Sequence, residues 1–453
     1  MATYNQIYGL TNKIAKMALG EGAITAVDTQ SFVSLGKQIL STEDNLDAFY
    51  KVLPDQIGRI VSRYQQIKRR TRDIERTPLD FGIALLEIEV DEIARAKENR
   101  AWKDSIVNGW ATTVNSQMSS GEPVIDPTTG RPVVDNIDGT TIDVGYDDTK
   151  ISTSIYHVIA GWEVTKLVYD RQLRTGFQNE AQMAQFYNLI FNDMYNGMTI
   201  ALNDAEMACE GTAIAQEIYA AAVNYQKTAV NLITAYNKAF GLTGANAMTV
   251  AKAKYNADFI RWANYKMETD VKKAGQVSNL YTPVKTDNGN VERELGAFRM
   301  HVLADWATMS EYYLLADTYH ENFVRGLGGY SEVICWQNRT GDGATTEDDS
   351  FETNSAIDVV ADFTLSNDPE NAVEVAQGGV IAHVFADGRM ISMIDDLRTK
   401  SQYNAIGERT VYAHRADIGY AIRPKEIGIT YYLADTDWAP SDDSGDEGGN
   451  DNG

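Results

Sequence analysis

Hydrophobic and polar positions keep a helical period most clearly between Asn179 and Glu210. Met183, Tyr187, Ile190, Met194, Met198, Ala201 and Ala205 recur every three or four residues, while Gln185, Asn188, Asn192, Asn196, Thr199, Asn203 and Glu206 hold the same period on the opposite face. The two stripes together predict one amphipathic helix. Asn179 is placed to cap its start and Gly211 to end it in a left-handed conformation. At 1.5 Å per residue such a helix is roughly 45 Å long, well beyond the three or four turns usual in a globular domain.

Before this helix the pattern breaks into shorter pieces. Ile7, Leu10, Ile14 and Met17, then Phe32, Leu35 and Ile39, then Leu46, Phe49 and Val52 after Thr42-Glu43-Asp44-Asn45, predict short helices. They are too short to form a core alone, so an N-terminal arm packed on something else is expected. Residues 79 to 100 fit a strand or a helix, with strand preferred. The stretch 108 to 148 carries Gly121, Pro123, Pro127, Gly130, Pro132, Gly139 and Gly145 and predicts an extended, turn-rich excursion. Ile151, Thr153 and Ile155 alternate with polar residues, and Trp162, Val164 and Leu167 lead towards the long helix.

After Gly211 a second helix is expected through Ile218, Ala222 and Tyr225 towards Phe240, and a third from Val250 to Met267. Leu295 to Leu303 predicts a strand, and Asp305 a helix cap. Residues 328 to 378 are loop-rich. Val380 to Phe385 and Met390 to Ile394 predict a hairpin turning at Asp387-Gly388, followed by strands at Thr410 to His414, Tyr420 to Ile422 and Ile427 to Leu433. Strands and helices in no regular βαβ order imply an α+β fold.

Composition adds limits. The chain has 453 residues, 43% hydrophobic and 23% charged, which suits two or three folded cores. Its formal charge of -24 argues against tight wrapping of nucleic acid. Against that trend, Arg59, Arg63, Lys68, Arg69, Arg70, Arg72 and Arg76 cluster with only Asp73 and Glu75, and in so acidic a chain another copy of itself is the expected partner for this run. Cys209 and Cys335 are too few for a disulfide framework, the start Met1-Ala2-Thr3-Tyr4 shows no secretory pattern, and no apolar run approaches the ~20 residues that span a bilayer. A protein made in a reducing cytoplasm, without a membrane partner, is expected. Beyond Trp438 the acidic run through Asp442, Asp443, Asp446 and Glu447 predicts a disordered tail.

Candidate chemistry changes the picture little. There is no Walker loop, no complete dinucleotide fingerprint, no Gly-x-Ser-x-Gly elbow and no His-Glu-x-x-His. His157, His301, His320, His383 and His414 are scattered, which favours core or surface histidines over ligands. Asp342, Glu347, Asp348, Asp349 and Glu352 match no EF-hand spacing, so a solvated loop is the better reading. Asp395-Asp396 would point to opposite sides of a strand and reads as a turn or cap. No catalytic, metal or cofactor residue is expected, although an acidic hydrolase using carboxylates from distant segments remains an alternative.

The order of parts resembles the major capsid proteins of tailed bacteriophages, with the Hong Kong 97 fold, and most of all the shell proteins of small short-tailed phages with protein-primed replication. Two stretches carry the likeness. One is Ile151 to Ala208, with Tyr169-Asp170-Arg171-Gln172, Phe186, Phe191 and Met194-Tyr195-Asn196; the other is Met390 to Thr430, with Asp395-Asp396-Leu397, Arg398, Asn404, Tyr412, Ala413, Tyr420 and Ala421-Ile422. The resemblance implies a helical arm over 1–65, an extended loop over 66–160, and a peripheral domain with the spine helix over 161–225. It further implies an axial domain over 226–386, late strands over 387–438 returning to the peripheral domain, and the tail over 439–453. It implies no enzyme activity. What it does imply is self-assembly into pentamers and hexamers of an icosahedral head around double-stranded DNA held without sequence specificity, with scaffolding and portal partners, in a virion assembled in the host cytoplasm. A cellular nanocompartment shell of the same fold is the near alternative.

Overall fold

The computed structural model describes residues 4–57, 72–78, 84–91, 151–157, 161–178, 180–283, 285–286, 289–314, 330–337, 350–363, 372–404 and 406–440. Three N-terminal helices, α1 (Tyr4–Leu19), α2 (Thr29–Ile39) and α3 (Glu43–Ile57), precede the strands β1 (Glu75–Pro78), β2 (Ala84–Val90), β3 (Ile151–His157) and β4 (Gly161–Tyr169). A short helix α4 (Asp170–Gly176) then leads into the long helix α5 (Glu180–Val223). The chain divides into two compact units, Met1–Glu87 with Thr153–Gly453, and Ile88–Ser152. Most of the second unit, including the excursion expected over 108 to 148, lies outside the described residues.

The long helix is longer than its sequence pattern predicts. It has 44 residues, roughly 66 Å at 1.5 Å per residue, and runs straight through Gly211. A glycine in mid-helix costs about 1 kcal/mol, which tertiary packing outweighs here: Gly211 is buried, with Trp336 and Val359 against it. The left-handed residue that ends the helix is Tyr225, with φ 55°. Gln226 N–H reaches back to the Ala220 carbonyl at 3.4 Å, and Asn224 N–H bonds the same oxygen at 2.9 Å, closing carbonyls that the helix end would leave open. Asn179, the expected N-cap, lies outside the described residues.

The helix expected to reach Phe240 is interrupted. Ala229–Asn231 form a strand, β5, that pairs in parallel with β15 (Gly428–Tyr432), and a new helix α6 (Leu232–Phe240) starts where the Asn231 side chain accepts from Ile233 N–H at 3.1 Å. The helix expected over Val250 to Met267 is likewise two, α7 (Val250–Ala253) and α8 (Ala257–Ala274), because Asn256 caps a fresh start on Phe259 N–H. Residues 328 to 378 hold more regular structure than expected: β9 (Ser331–Val333), α10 (Phe351–Asn354), β10 (Ile357–Ala361) and β11 (Val373–Gln377).

Two sheets organise the larger unit. One runs β5-β15-β12-β8-β9, with β8 (Phe298–Leu303) followed by helix α9 (Ala304–Leu314), and β12 (Val380–Ala386) at the centre. All seven residues of β12 are buried, as a strand covered on both faces must be. The other runs β1-β13-β14-β4, built on β13 (Met390–Asn404) and β14 (Arg409–Ile422). The Asp387-Gly388 turn exists, with Gly388 at φ 88°, but it is not a hairpin: β12 and β13 belong to different sheets, and the turn passes the chain from one to the other. Asp395-Asp396 lie inside β13 at a register shift, not in a turn or cap.

The long helix crosses four apolar clusters in succession. Met183, Phe186 and Met194 pack with Phe32, Phe49, Phe177 and Tyr412, so the N-terminal helices dock on their own chain. Gly36 permits this, since a Cβ there would stand 2.6 Å from the Phe177 ring. Met198 and Leu202 meet Ala416 and Ile418 of β14. Cys209 and Ala213 meet Phe385 and Met390. Ile214, Ala215 and Ile218 then enter the main core with Trp306, Trp336 and the five-stranded sheet.

Candidate functional site

Inside this apolar path sits a cluster of charge. Met194, Met198, Leu202, Glu206 and Glu210 are all buried, and spacing by four advances about 40° per step beyond a full turn, so the buried stripe rotates around the helix. Glu206, expected on the polar face, is carried inside, only 2% exposed. Seven residues beyond Glu210, nearly two turns, Glu217 falls on the same face and is also buried. Three carboxylates therefore point into the protein from one helix.

Their partners arrive from four other places in the chain. His301 of β8 and His383 of β12 are direct cross-strand neighbours and are 1% and 0% exposed. The chain just before β1 brings Arg72 and Asp73, and the turn after β12 brings Arg389. His301 Nδ1 lies 2.5 Å from Glu210 Oε1 and its Nε2 lies 3.0 Å from Asp73 Oδ2. His383 Nδ1 lies 3.2 Å from Glu210 Oε1 and its Nε2 lies 3.1 Å from Glu217 Oε1. Carboxylates only accept hydrogen bonds, so both nitrogens of each ring must donate, and both rings are imidazolium.

Arg72 donates Nη1–H to Glu210 Oε2 at 2.9 Å, Nη2–H to the Cys335 carbonyl at 2.7 Å and its backbone N–H to Glu206 Oε2 at 3.3 Å. Arg389 lies 3.1 Å from Glu217 Oε1 and donates to the Glu426 carbonyl at 2.6 Å. Thr430 Oγ1–H closes the other Glu217 oxygen at 2.6 Å. Gly428 is required here because a Cβ would stand 1.8 Å from Glu217 Oε1. Arg72, His301, His383 and Arg389 thus face Asp73, Glu206, Glu210 and Glu217, four charges against four.

Burial pushes the His301 pKa down, but the Glu210 charge and the bonds to Asp73 and Glu210 outweigh it and raise it to about 9. His383 is shifted upward by Glu217 and Glu210 in the same way. Glu210 is raised by burial and lowered more by His301 and Arg72, ending well below its ordinary value. Burial, with Glu210 alongside, lifts the Cys209 thiol to about 12, so it is an inert packing group.

The arrangement joins chain segments: Glu206, Glu210 and Glu217 are enclosed, and Glu210 and Glu217 are each bonded to a histidine and an arginine from other parts of the chain. Sequence reasoning missed the network. Its signal was three glutamates at helical spacing beside an Ala-rich, apolar helix end, and single histidines inside the apolar strands Met300-His301-Val302 and Ala382-His383-Val384. Of the basic run, Arg72 is matched within its own chain, Arg76 on β1 is exposed, and Arg59, Arg63, Lys68, Arg69 and Arg70 lie outside the described residues. In the acidic loop, Glu352 is ion-paired with Lys254, and Asp342, Glu347, Asp348 and Asp349 lie outside the described residues.

No family model and no curated protein matches the chain. In structure it is similar to a chain of the Staphylococcus phage Andhra capsid, at TM-score 0.44 and 10% identity over 83% of this chain and 88% of that one. It is also similar to a chain in the head fibre and inner core protein structure of bacteriophage P68, at TM-score 0.45 and 10% identity over 82% and 88%. A chain of a virus-like particle from Pyrococcus furiosus gives TM-score 0.34 and 10% identity over 84% and 95%. At these scores the likenesses assign no family to this chain.

Proposed function

We propose that this chain is a major capsid protein of Hong Kong 97 type from a tailed bacteriophage, a structural subunit and not an enzyme. It assembles into pentamers and hexamers of an icosahedral head that holds double-stranded DNA without reading its sequence. The supporting observation is the 44-residue helix that ties helical arm, late strands and five-stranded sheet into one series of cores along its length. This is the organisation that the order of parts in the sequence implies. In this reading the long helix is the spine, β13 and β14 are the late strands that return to it, and 226–386 is the axial domain. On the sequence resemblance, we assign it to the short-tailed, protein-primed type.

A net charge of -24 suits DNA that must move in and out. Arg76 with Arg59, Arg63, Lys68, Arg69 and Arg70 would meet acidic surface on adjacent copies and set register. The test is expression with a scaffolding partner followed by electron microscopy. Closed shells built of pentamers and hexamers are expected; a chain that stays monomeric under every assembly condition overturns the reading. Shells that load a protein cargo and no DNA would move it to the nanocompartment class.

A further inference from the structure

In a chain of charge -24, one cleft of the larger unit is lined by cations and a spare hydroxyl. Helix α8 places Lys266, Asp270 and Lys273 on one face, at i, i+4 and i+7. The turn after the long helix brings Lys227 to the same cleft, and Tyr281 closes it from beyond α8. Two backbone bonds fix these walls: Lys227 N–H donates to the Leu280 carbonyl at 2.7 Å, and Gly428 N–H to the Tyr281 carbonyl at 3.4 Å. The cleft holds about 270 Å³, where one water occupies about 30 Å³ of the liquid.

The carboxylate in the cleft is already matched. Lys266 Nζ–H donates to both Asp270 oxygens, at 2.6 Å to Oδ1. Lys227 and Lys273 are exposed, and among the described residues neither ammonium group has a carboxylate partner. Tyr281 is only 4% exposed, yet its hydroxyl has no hydrogen-bond acceptor among the described residues. Burial and the Asp270 charge raise its pKa above the ordinary value, so it stands in the cleft as an O–H donor. A helix C-terminus favours Lys272 and Lys273 alike, but Lys272 lies off the cleft face and pairs with Glu268 at 2.5 Å.

We propose that this cleft binds a phosphate group, with Lys227, Lys273 and the Tyr281 hydroxyl donating to its oxygens and Ala229, Val230 and Ala235 lining space for the body that carries it. Two unmatched ammonium charges balance a phosphomonoester dianion, and three donors from three segments suit an acceptor with three oxygens to offer. A carboxylate, with one charge and two oxygens, leaves part of the set unmet. The inference stands on the cleft and is independent of the capsid reading.

The test is calorimetric titration of the intact, unassembled chain with inorganic phosphate, and saturable binding is expected. Lys273→Gln and Tyr281→Phe are each expected to weaken it about 10-fold, the loss of one hydrogen bond to a charged group. Lys272→Gln removes the same charge one residue away and is expected to change it less than ~2-fold, because solvent screens a charge outside the cleft. Circular dichroism checks that each variant is folded, and Lys227→Gln, at an exposed position, repeats the Lys273→Gln result from a second wall. Glycerol phosphate and a short DNA duplex as competitors separate the sources: displacement by the first alone assigns the site to small phosphomonoesters, and displacement by both extends it to the nucleic-acid backbone. Absence of saturable binding overturns the proposal, as do acetate bound as tightly as phosphate, equal losses in Lys272→Gln and Lys273→Gln, or a Tyr281→Phe chain that binds like the native one.

Discussion

Glu210 concentrates the consequences of a single side chain in this protein. It is fully buried and touches His301, His383 and Arg72, so neutralising it leaves three cations around an amide. Glu210→Gln is expected to destabilise by about 3–5 kcal/mol in urea unfolding, the range for breaking a buried ionic network from one side. Glu163, whose carboxylate meets Arg415 at 2.5 Å on a surface where the two side chains are 39% and 44% exposed, provides the contrast. Glu163→Gln is expected to cost under ~1 kcal/mol, because solvent screens that pair. The histidines set a pH dependence with a definite sign. His301 binds its proton more tightly when folded, about 9 against the ordinary 6.5, so its contribution is full below pH 6.5 and is lost as pH rises through 9. The gap corresponds to about 3 kcal/mol. Asp73 acts oppositely: its lowered pKa makes a contribution present above its ordinary value and lost as pH falls through the depressed one. Urea midpoints should therefore be lower at pH 9.5 than at pH 7; a midpoint that rises over that interval contradicts the assignment of charged histidines.

At the scale of elements, the long helix poses the sharpest test of local against tertiary control. If Gly211 were a left-handed cap, Gly211→Ala would be strained. In the structure Gly211 is helical, and an added Cβ would find Trp336 O and Val359 Cγ2 at 3.8 Å, ordinary contact. Gly211→Ala is thus expected to stabilise by about 0.5–1 kcal/mol, read from the thermal midpoint. The true end of the helix gives the complementary expectation. Tyr225 is exposed and holds φ 55°, so Tyr225→Gly should stabilise by up to ~1 kcal/mol through relief of the left-handed backbone. Gly211 was misread because glycine at the end of a clear amphipathic stripe is the ordinary sign of a C-cap. The continuation is nearly buried all round, Glu217 included, and a helix buried on every side shows no clear amphipathic stripe. The strand β5 was hidden for a related reason, since a three-residue strand is created by its neighbour and not by its own pattern.

For the whole molecule, a helix of 44 residues links four separate apolar clusters of the larger unit along its length. In the proposed assembly the N-terminal helices are committed to their own chain through Phe32, Phe49 and Phe177. Pairwise contact between copies then falls to other surfaces, among them the exposed Arg76 edge. Raising salt from 50 mM to 1 M, which shortens the screening length to about 3 Å, is expected to weaken or misdirect assembly while leaving the buried network and the monomer's fold intact. Light scattering of assembly against circular dichroism of the monomer separates the two; equal assembly at both salts would rule out a role for the basic run.

By itself the sequence determined the α+β class, a long central helix and most strand positions after Val380, because each rests on a periodicity that nearby residues share. Only the tertiary structure decided where that helix ends, that Asp387-Gly388 joins two sheets, and that Arg72, Asp73, Glu210, Glu217, His301, His383 and Arg389 meet. Those residues lie as much as 317 positions apart, in segments whose local patterns are indifferent to one another. Their charges become partners only once burial removes the water that would otherwise satisfy each alone.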